Sequence, residues 1–406
     1  MTASIIFGTL FLLVTFVCMK VQRDVLHPAV VFPAVWGATL IMVGFAEPFG
    51  YFQISVNTFF VFTVGIFMFV AGATTINNTS TYKYQRSIYN LDFRKIIWFC
   101  FLFHAVILPM AWFEIGKIGA GVGADNIFAL AYRLRVASVS GEENVGPIVG
   151  NYLIGGLFFI PVLLLGWMHR QISFLCMVLL GLPWVMLNIL VNGRSGIILL
   201  TFSIFYIYLS FKGKFSVKAI LSFGIFFVAV LIAGNLLVGK IDAGIDDGLW
   251  IIARQSIRSF FDYLLQGPIL FSRYVENPNE ISPTWDALIF PCHLLNKFDL
   301  CVLPSLYQDF LDFSLEGEPG NVYSIFLSVY PKYGILGAVL IFYTYGVWAA
   351  FHHARRYSSL WHLLIASFLF SAIMLSVFND GFGPNIYFFV KIILISVAAS
   401  YVFKKT

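Results

Sequence analysis

Eleven apolar runs, each about 18 residues long, recur along this chain near residues 2–19, 29–46, 56–73, 96–113, 148–166, 172–190, 195–211, 219–237, 333–350, 360–378 and 386–403. Coiled into helices, runs of this length match the hydrocarbon thickness of a bilayer. Backbone N–H and C=O groups in lipid find partners only within a helix or a closed barrel, and the alternation that marks a barrel strand is absent. The pattern therefore dictates an all-α fold: a polytopic membrane protein of about 11 transmembrane helices. With 60% hydrophobic and 11% charged residues, a soluble multidomain protein is excluded. The first run lacks a basic leader and a small-residue cleavage site, so it reads as a retained helix.

The polar residues have been kept in particular places. Residues 1–237 read as an N-terminal bundle of about eight helices, 238–320 as a large loop containing amphipathic helices, and 321–406 as about three C-terminal helices, all in one integrated domain. One set of loops and ends holds 14 of the 25 Lys and Arg residues in short connections, while the other set holds nine. Only Asp24 and Asp92, of 20 acids, fall on the basic side. Basic residues remain cytoplasmic, so the large loop and the 114–147 loop face outward. The net charge of +5 comes from these orienting residues and implies no nucleic-acid partner; the partner it implies is the lipid bilayer. No matched halves of the kind found in two-fold transporters are visible. Of five cysteines, only Cys292 and Cys301 face outward, where a disulfide is one option.

Several residues carry candidate chemistry. Arg194 lies between two apolar runs in Asn192-Gly193-Arg194-Ser195-Gly196; it either snorkels to headgroups or meets a phosphate. A helix is expected over Trp250–Gln266, with Trp250, Ile257, Phe260, Phe261 and Leu264 on one face and Arg254, Gln255, Arg258, Ser259 and Asp262 opposite. Arg254 and Arg258 stand four apart, a like-charge spacing that is unfavourable unless an anion bridges it, and guanidinium forks match phosphate oxygens. The alternative is a solvated interfacial face. Arg273 follows an expected turn at Gln266-Gly267-Pro268, and His293 sits on a second amphipathic segment, Thr284–Lys297, as a candidate base or a satisfied structural histidine. Arg133 and Arg135 are further anion-contact candidates in the first long outward loop. Trp250, Tyr263, Tyr274, Trp285 and Tyr307 are available to stack on sugars or to form an interfacial belt. Asp242, Asp246 and Asp247 read as solvated turn acids in preference to a cation site.

The stretch Gly317-Glu318-Pro319-Gly320-Asn321-Val322-Tyr323, running into Tyr330-Pro331-Lys332-Tyr333-Gly334-Ile335-Leu336-Gly337, resembles the signature of bacterial O-antigen polymerases and related oligosaccharide repeat-unit polymerases. It is also similar to the corresponding segment of the O-antigen ligases. Asn192-Gly193-Arg194-Ser195 and Tyr263-Leu264-Leu265-Gln266-Gly267 resemble two further elements of that family, so the likeness covers residues 190–340. The resemblance implies an inner-membrane glycosyltransferase working on the periplasmic side. It would use undecaprenyl-diphosphate-linked oligosaccharide as donor and acceptor, with a flippase and a chain-length regulator as neighbours and no cofactor. Where the ligases carry a histidine before the asparagine, this chain has Gly320, so the base does not carry over; Glu318, Tyr323 and His293 remain candidates. Arg194, Arg254 and Arg258 are expected to stabilise the leaving diphosphate without a metal, and Arg273, Asn321, Tyr323, Arg133, Arg135 and Tyr263 to bind substrate. A ligase, with a different acceptor, and a lipid-linked oligosaccharide flippase are the competing readings.

The charge division predicts sidedness. In spheroplasts, a membrane-impermeant thiol reagent should label Glu280→Cys and leave Tyr84→Cys unlabelled; the reverse pattern would invert the topology.

Overall fold

A computed structural model describes residues 2–76, 91–121, 130, 134, 146–192, 195–212, 224–225, 249–279, 286–296, 298–301, 310–317 and 319–405. Its helices are α1 (Thr2–Gln22), α2 (Pro28–Ala46), α3 (Val56–Thr74), α4 (Phe93–Gly121), α5 (Pro147–Met168), α6 (Phe174–Asn192), α7 (Ser195–Lys212), α8 (Leu249–Glu276), α9 (Ile289–Asn296), α10 (Ile325–Ala354), α11 (Leu360–Met374) and α12 (Ile386–Val402). A two-stranded hairpin, β1 (Leu311–Asp312) and β2 (Pro319–Gly320), precedes α10.

Among the described residues, seven helices are long and apolar enough to cross a membrane: α1 to α6 and α10. The shorter α7, α11 and α12 are apolar too. Ten of the expected runs thus have a described helix, and the run over 219–237 lies outside the described residues except for Gly224 and Ile225. The protein is all-α and membrane-embedded. Its outward rows suit lipid: α1 exposes Leu13, Phe16, Val17 and Val21, and α4 exposes Trp98, Phe101, Leu102 and Phe113.

Helix starts follow local chemistry. Pro28 occupies the first turn of α2, where its missing N–H costs nothing, and the His27 ring accepts a hydrogen bond from Ala29 N (3.2 Å). Ser55 caps α3 through Thr58 N (3.3 Å).

The large loop departs from its sequence expectation at one point. α8 runs unbroken through the turn expected at Gln266-Gly267-Pro268. Pro268 removes one helical donor there, and the bare Gly267 lets the helix pack directly on the Val377 carbonyl. On the expected apolar face of α8, Ile257 and Phe261 are 46% and 42% exposed, and Leu264 is buried. Among the described residues of the second amphipathic segment, Ile289–Asn296 form a helix, and Cys292 and Cys301, with Cα atoms 5.4 Å apart, are joined in the disulfide that was one option.

The chain groups into two compact units, each drawn from before, within and after the large loop. The first unit comprises residues 1–83, 259–358 and 368–389. Its core is aromatic: Trp36 packs edge-on to Phe326 (5.0 Å), Phe62 on Phe271 (5.5 Å) and Phe326 on Phe342 (4.5 Å). The Trp36 indole donates to Ser376 Oγ (3.0 Å). At another end of this unit, Asp24 Oδ2 accepts from Arg356 Nη2 (2.7 Å), tying the α1–α2 connection to the end of α10. In the second unit (84–258, 359–367 and 390–406), His104 sits beside Trp184 with both nitrogens engaged, by Tyr152 Oη (2.7 Å) and the Leu180 carbonyl (2.8 Å). Glu114 Oε2 accepts from Val149 N (2.8 Å) at the start of α5.

α3 and α10 approach backbone to backbone. A Cβ on Gly346 would collide with the Phe69 carbonyl oxygen, and one on Gly72 with that of Tyr343. Gly346→Val should therefore lower unfolding stability in detergent by about 1–3 kcal/mol. Gly150→Ala, where a Cβ meets nothing within 4 Å, should leave the midpoint unchanged or raise it. Equal midpoints for the two variants would show that this crossing is not tight.

Candidate functional site

Three chain segments of the first unit converge on a polar cavity. The β1–β2 hairpin, in register Leu311↔Gly320, delivers the first. It is anchored to the connection after α2, where Phe52 N donates to the Phe313 carbonyl (3.3 Å) and Leu315 N to the Gly50 carbonyl (2.7 Å). Gly317 turns the hairpin at φ +76°, a conformation that glycine adopts without strain. Past the hairpin, Gly320 lies against Gln266 on α8, 2.7 Å from where its Cβ would be, and Gly267 faces Ser324 N (3.3 Å). The third segment is the connection between α11 and α12, joined to the start of α10 by Ile325 N donating to the Ser376 carbonyl (2.8 Å).

The cavity holds about 180 Å³, room for roughly six waters. Asn321, Tyr323, Ser324, Ser328, Asn379 and Asp380 supply its polar lining. Ser324 occupies the N-cap of α10, yet its hydroxyl makes no capping bond. Its buried Oγ has no hydrogen-bond partner among the described residues. A buried hydroxyl in that state is costly unless something in the cavity meets it.

Asp380 is 2% exposed and four neutral groups donate to it. Phe382 N (2.8 Å) and Gly383 N (3.3 Å) reach Oδ1; Ser328 Oγ (2.8 Å) and Tyr345 Oη (3.0 Å) reach Oδ2. Burial, the largest influence, pushes its carboxyl up to about 6 against the pull of those donors. Nearby Asp286 contrasts with it. Burial alone would raise that carboxyl too, but hydrogen bonds from Lys332 and Tyr333, with Leu288 N and the Lys332 charge, hold it below its ordinary value.

The sequence candidates are distributed as follows. Asn321 and Tyr323 line the cavity. Tyr263 is half-buried on α8. The Arg273 guanidinium donates to the Asp312 carbonyl (2.6 Å) and stacks on Phe52 (5.3 Å), which ties α8 to the hairpin. Asp262 accepts from the Tyr51 hydroxyl. Arg254 and Arg258 are exposed on the part of α8 belonging to the second unit. Arg133, Arg135, Arg194 and Glu318 lie outside the described residues, as do Asp242, Asp246 and Asp247; His293 is on α9, with its side chain outside the description. Sequence reasoning missed Asp380 and Ser324. Asn379-Asp380-Gly381 has the composition of an ordinary turn, and only its being the sole acid after Glu318 could have singled it out. Comparison with known proteins finds no matching family model, curated protein or solved structure.

Replacing an N-cap serine by alanine ordinarily costs about 1 kcal/mol. Ser324→Ala removes an unmet hydroxyl instead, so the ligand-free protein in detergent should keep its unfolding midpoint or gain in it. A loss of the usual size would mean that Ser324 caps α10 after all.

Proposed function

We propose that this chain is a glycosyltransferase that joins oligosaccharide units carried on undecaprenyl diphosphate, at the outward, periplasmic face of a bacterial inner membrane. The observation that carries this reading is the packing of the two family-like segments on one another, Gly320 against Gln266 and Gly267 against Ser324 N, beside a cavity that Asn321–Ser324 line. A sugar acceptor needs amide and hydroxyl partners, and Asn321, Tyr323, Ser324 and Asn379 offer them. A lipid-linked donor brings its diphosphate to the membrane boundary, where exposed guanidinium groups such as Arg254 and Arg258 suit it. The transferred bond leaves its electrons on the diphosphate, so fixed positive charge lowers the barrier where negative charge develops. Arginines supply that charge without a divalent cation. The charge division between the two sets of loops supports an outward orientation of the 238–320 segment.

Purified protein in lipid vesicles, given undecaprenyl-diphosphate-linked oligosaccharide, should yield a ladder of lengthened products, at close to full rate in excess EDTA. Absence of any product would overturn the reading. Loss of activity with chelator, restored by magnesium or manganese, would overturn its metal-free form. Transfer only to a different glycolipid acceptor, with no self-extension, would favour a ligase.

A further inference from the structure

Resting on that reading, we infer that the Asp380 carboxylate, together with Ser328, is the proton acceptor for the attacking sugar hydroxyl in this cavity. Asp380 lies outside residues 190–340, the part of the chain that resembles the polymerase family.

The geometry around Ser328 accommodates the proton in both states. Its single hydroxyl hydrogen has two acceptors, Asp380 Oδ2 and the Ile325 carbonyl, each 2.8 Å from Oγ. With Asp380 ionised, the hydrogen points to the carboxylate. With Asp380 protonated on Oδ2, the carboxyl donates to Ser328 and Ser328 donates to Ile325. The proton is therefore taken up by reversing one hydrogen bond, with no side chain moving. In the step itself, the acceptor oxygen forms a bond to the anomeric carbon of the donor sugar as the bond from that carbon to the diphosphate oxygen breaks. The diphosphate leaves with the electron pair, and the hydroxyl proton passes to Asp380 directly or through Ser328. Later release to water resets the carboxylate.

The groups around Asp380 leave it free for this role. Its donors are neutral, and among the described residues no cation is bonded to it. Tyr345 touches it and Tyr323 shares the cavity. Asp286, which acts on Tyr345 as Asp380 does, is committed to Lys332 and Tyr333. The unmet Ser324 hydroxyl, buried in the same cavity wall, is placed to receive a polar group of the acceptor. Burial sets the working range: a carboxyl raised to about 6 is ionised at neutral pH yet basic enough to share a proton.

The test uses the vesicle assay with wild type and Asp380→Asn. The asparagine keeps a carbonyl for the Phe382 and Gly383 N–H groups and gains an NH2 that donates to Ser328, but it takes no proton. Its rate should fall roughly a hundred- to ten-thousandfold. The wild-type rate should fall about tenfold per pH unit below about 6, where Asp380 becomes protonated, and level off above it. A wild-type profile flat between pH 5 and 8, or an Asp380→Asn enzyme as fast as wild type, would remove Asp380 from the chemistry while leaving the transfer reading intact. The pH profile decides the matter even if Asp380→Asn fails to fold. No turnover by wild type at any pH would sink the transfer reading and this assignment with it.

Discussion

Hydrocarbon offers no hydrogen bonds, and the architecture depends on that. Every backbone group in the apolar runs must be met inside its own helix, and every polar side chain buried between helices needs a partner from a neighbour. His104 has one at each nitrogen, Glu114 meets a helix N-terminus, and the Trp36 indole has Ser376. Asp380 and Ser324 add chemistry to that accounting. Among the described residues, one is a buried acid held by neutral donors and the other a buried hydroxyl with no partner.

The cavity exists because backbones come close together around it. Gly267 lets α8 rest on the Val377 carbonyl, Gly320 makes room for Gln266, and Gly383 brings the last connection against the Ala287 carbonyl. These contacts bring together residues from 266, 320 and 380. The aromatic cluster of Trp36, Phe62, Phe271 and Phe326 lies against the same helices and holds them rigid through area burial and ring packing. α10 contributes to both: Phe326 and Phe342 enter the core, while Ser324 and Ser328 face the cavity. At Gly334 it adopts φ +60° and ψ −157°, a conformation open to glycine alone, so the cavity segment and the long apolar part of the helix are offset from one another.

Much was legible in the chain itself. Apolar run length alone dictates membrane-spanning helices, since lipid removes every other option for the backbone; ten of the runs are helices in the structure. Helix starts follow local chemistry, with Pro28 in the first turn of α2 and Ser55 at the N-cap of α3. Asn321 and Tyr323, singled out because they sit in a contiguous pattern, line the cavity. What only the tertiary structure decided are the features made by residues distant in sequence. The turn expected at Gln266-Gly267-Pro268 became continuous helix because packing on Val377 outweighed a proline's missing donor. Arg273 became an anchor because the Asp312 carbonyl and Phe52 happen to meet it. Asp380 reads as a turn aspartate in sequence; its burial in the folded unit raises its basicity against the pull of Ser328 and Tyr345, and no local pattern encodes desolvation.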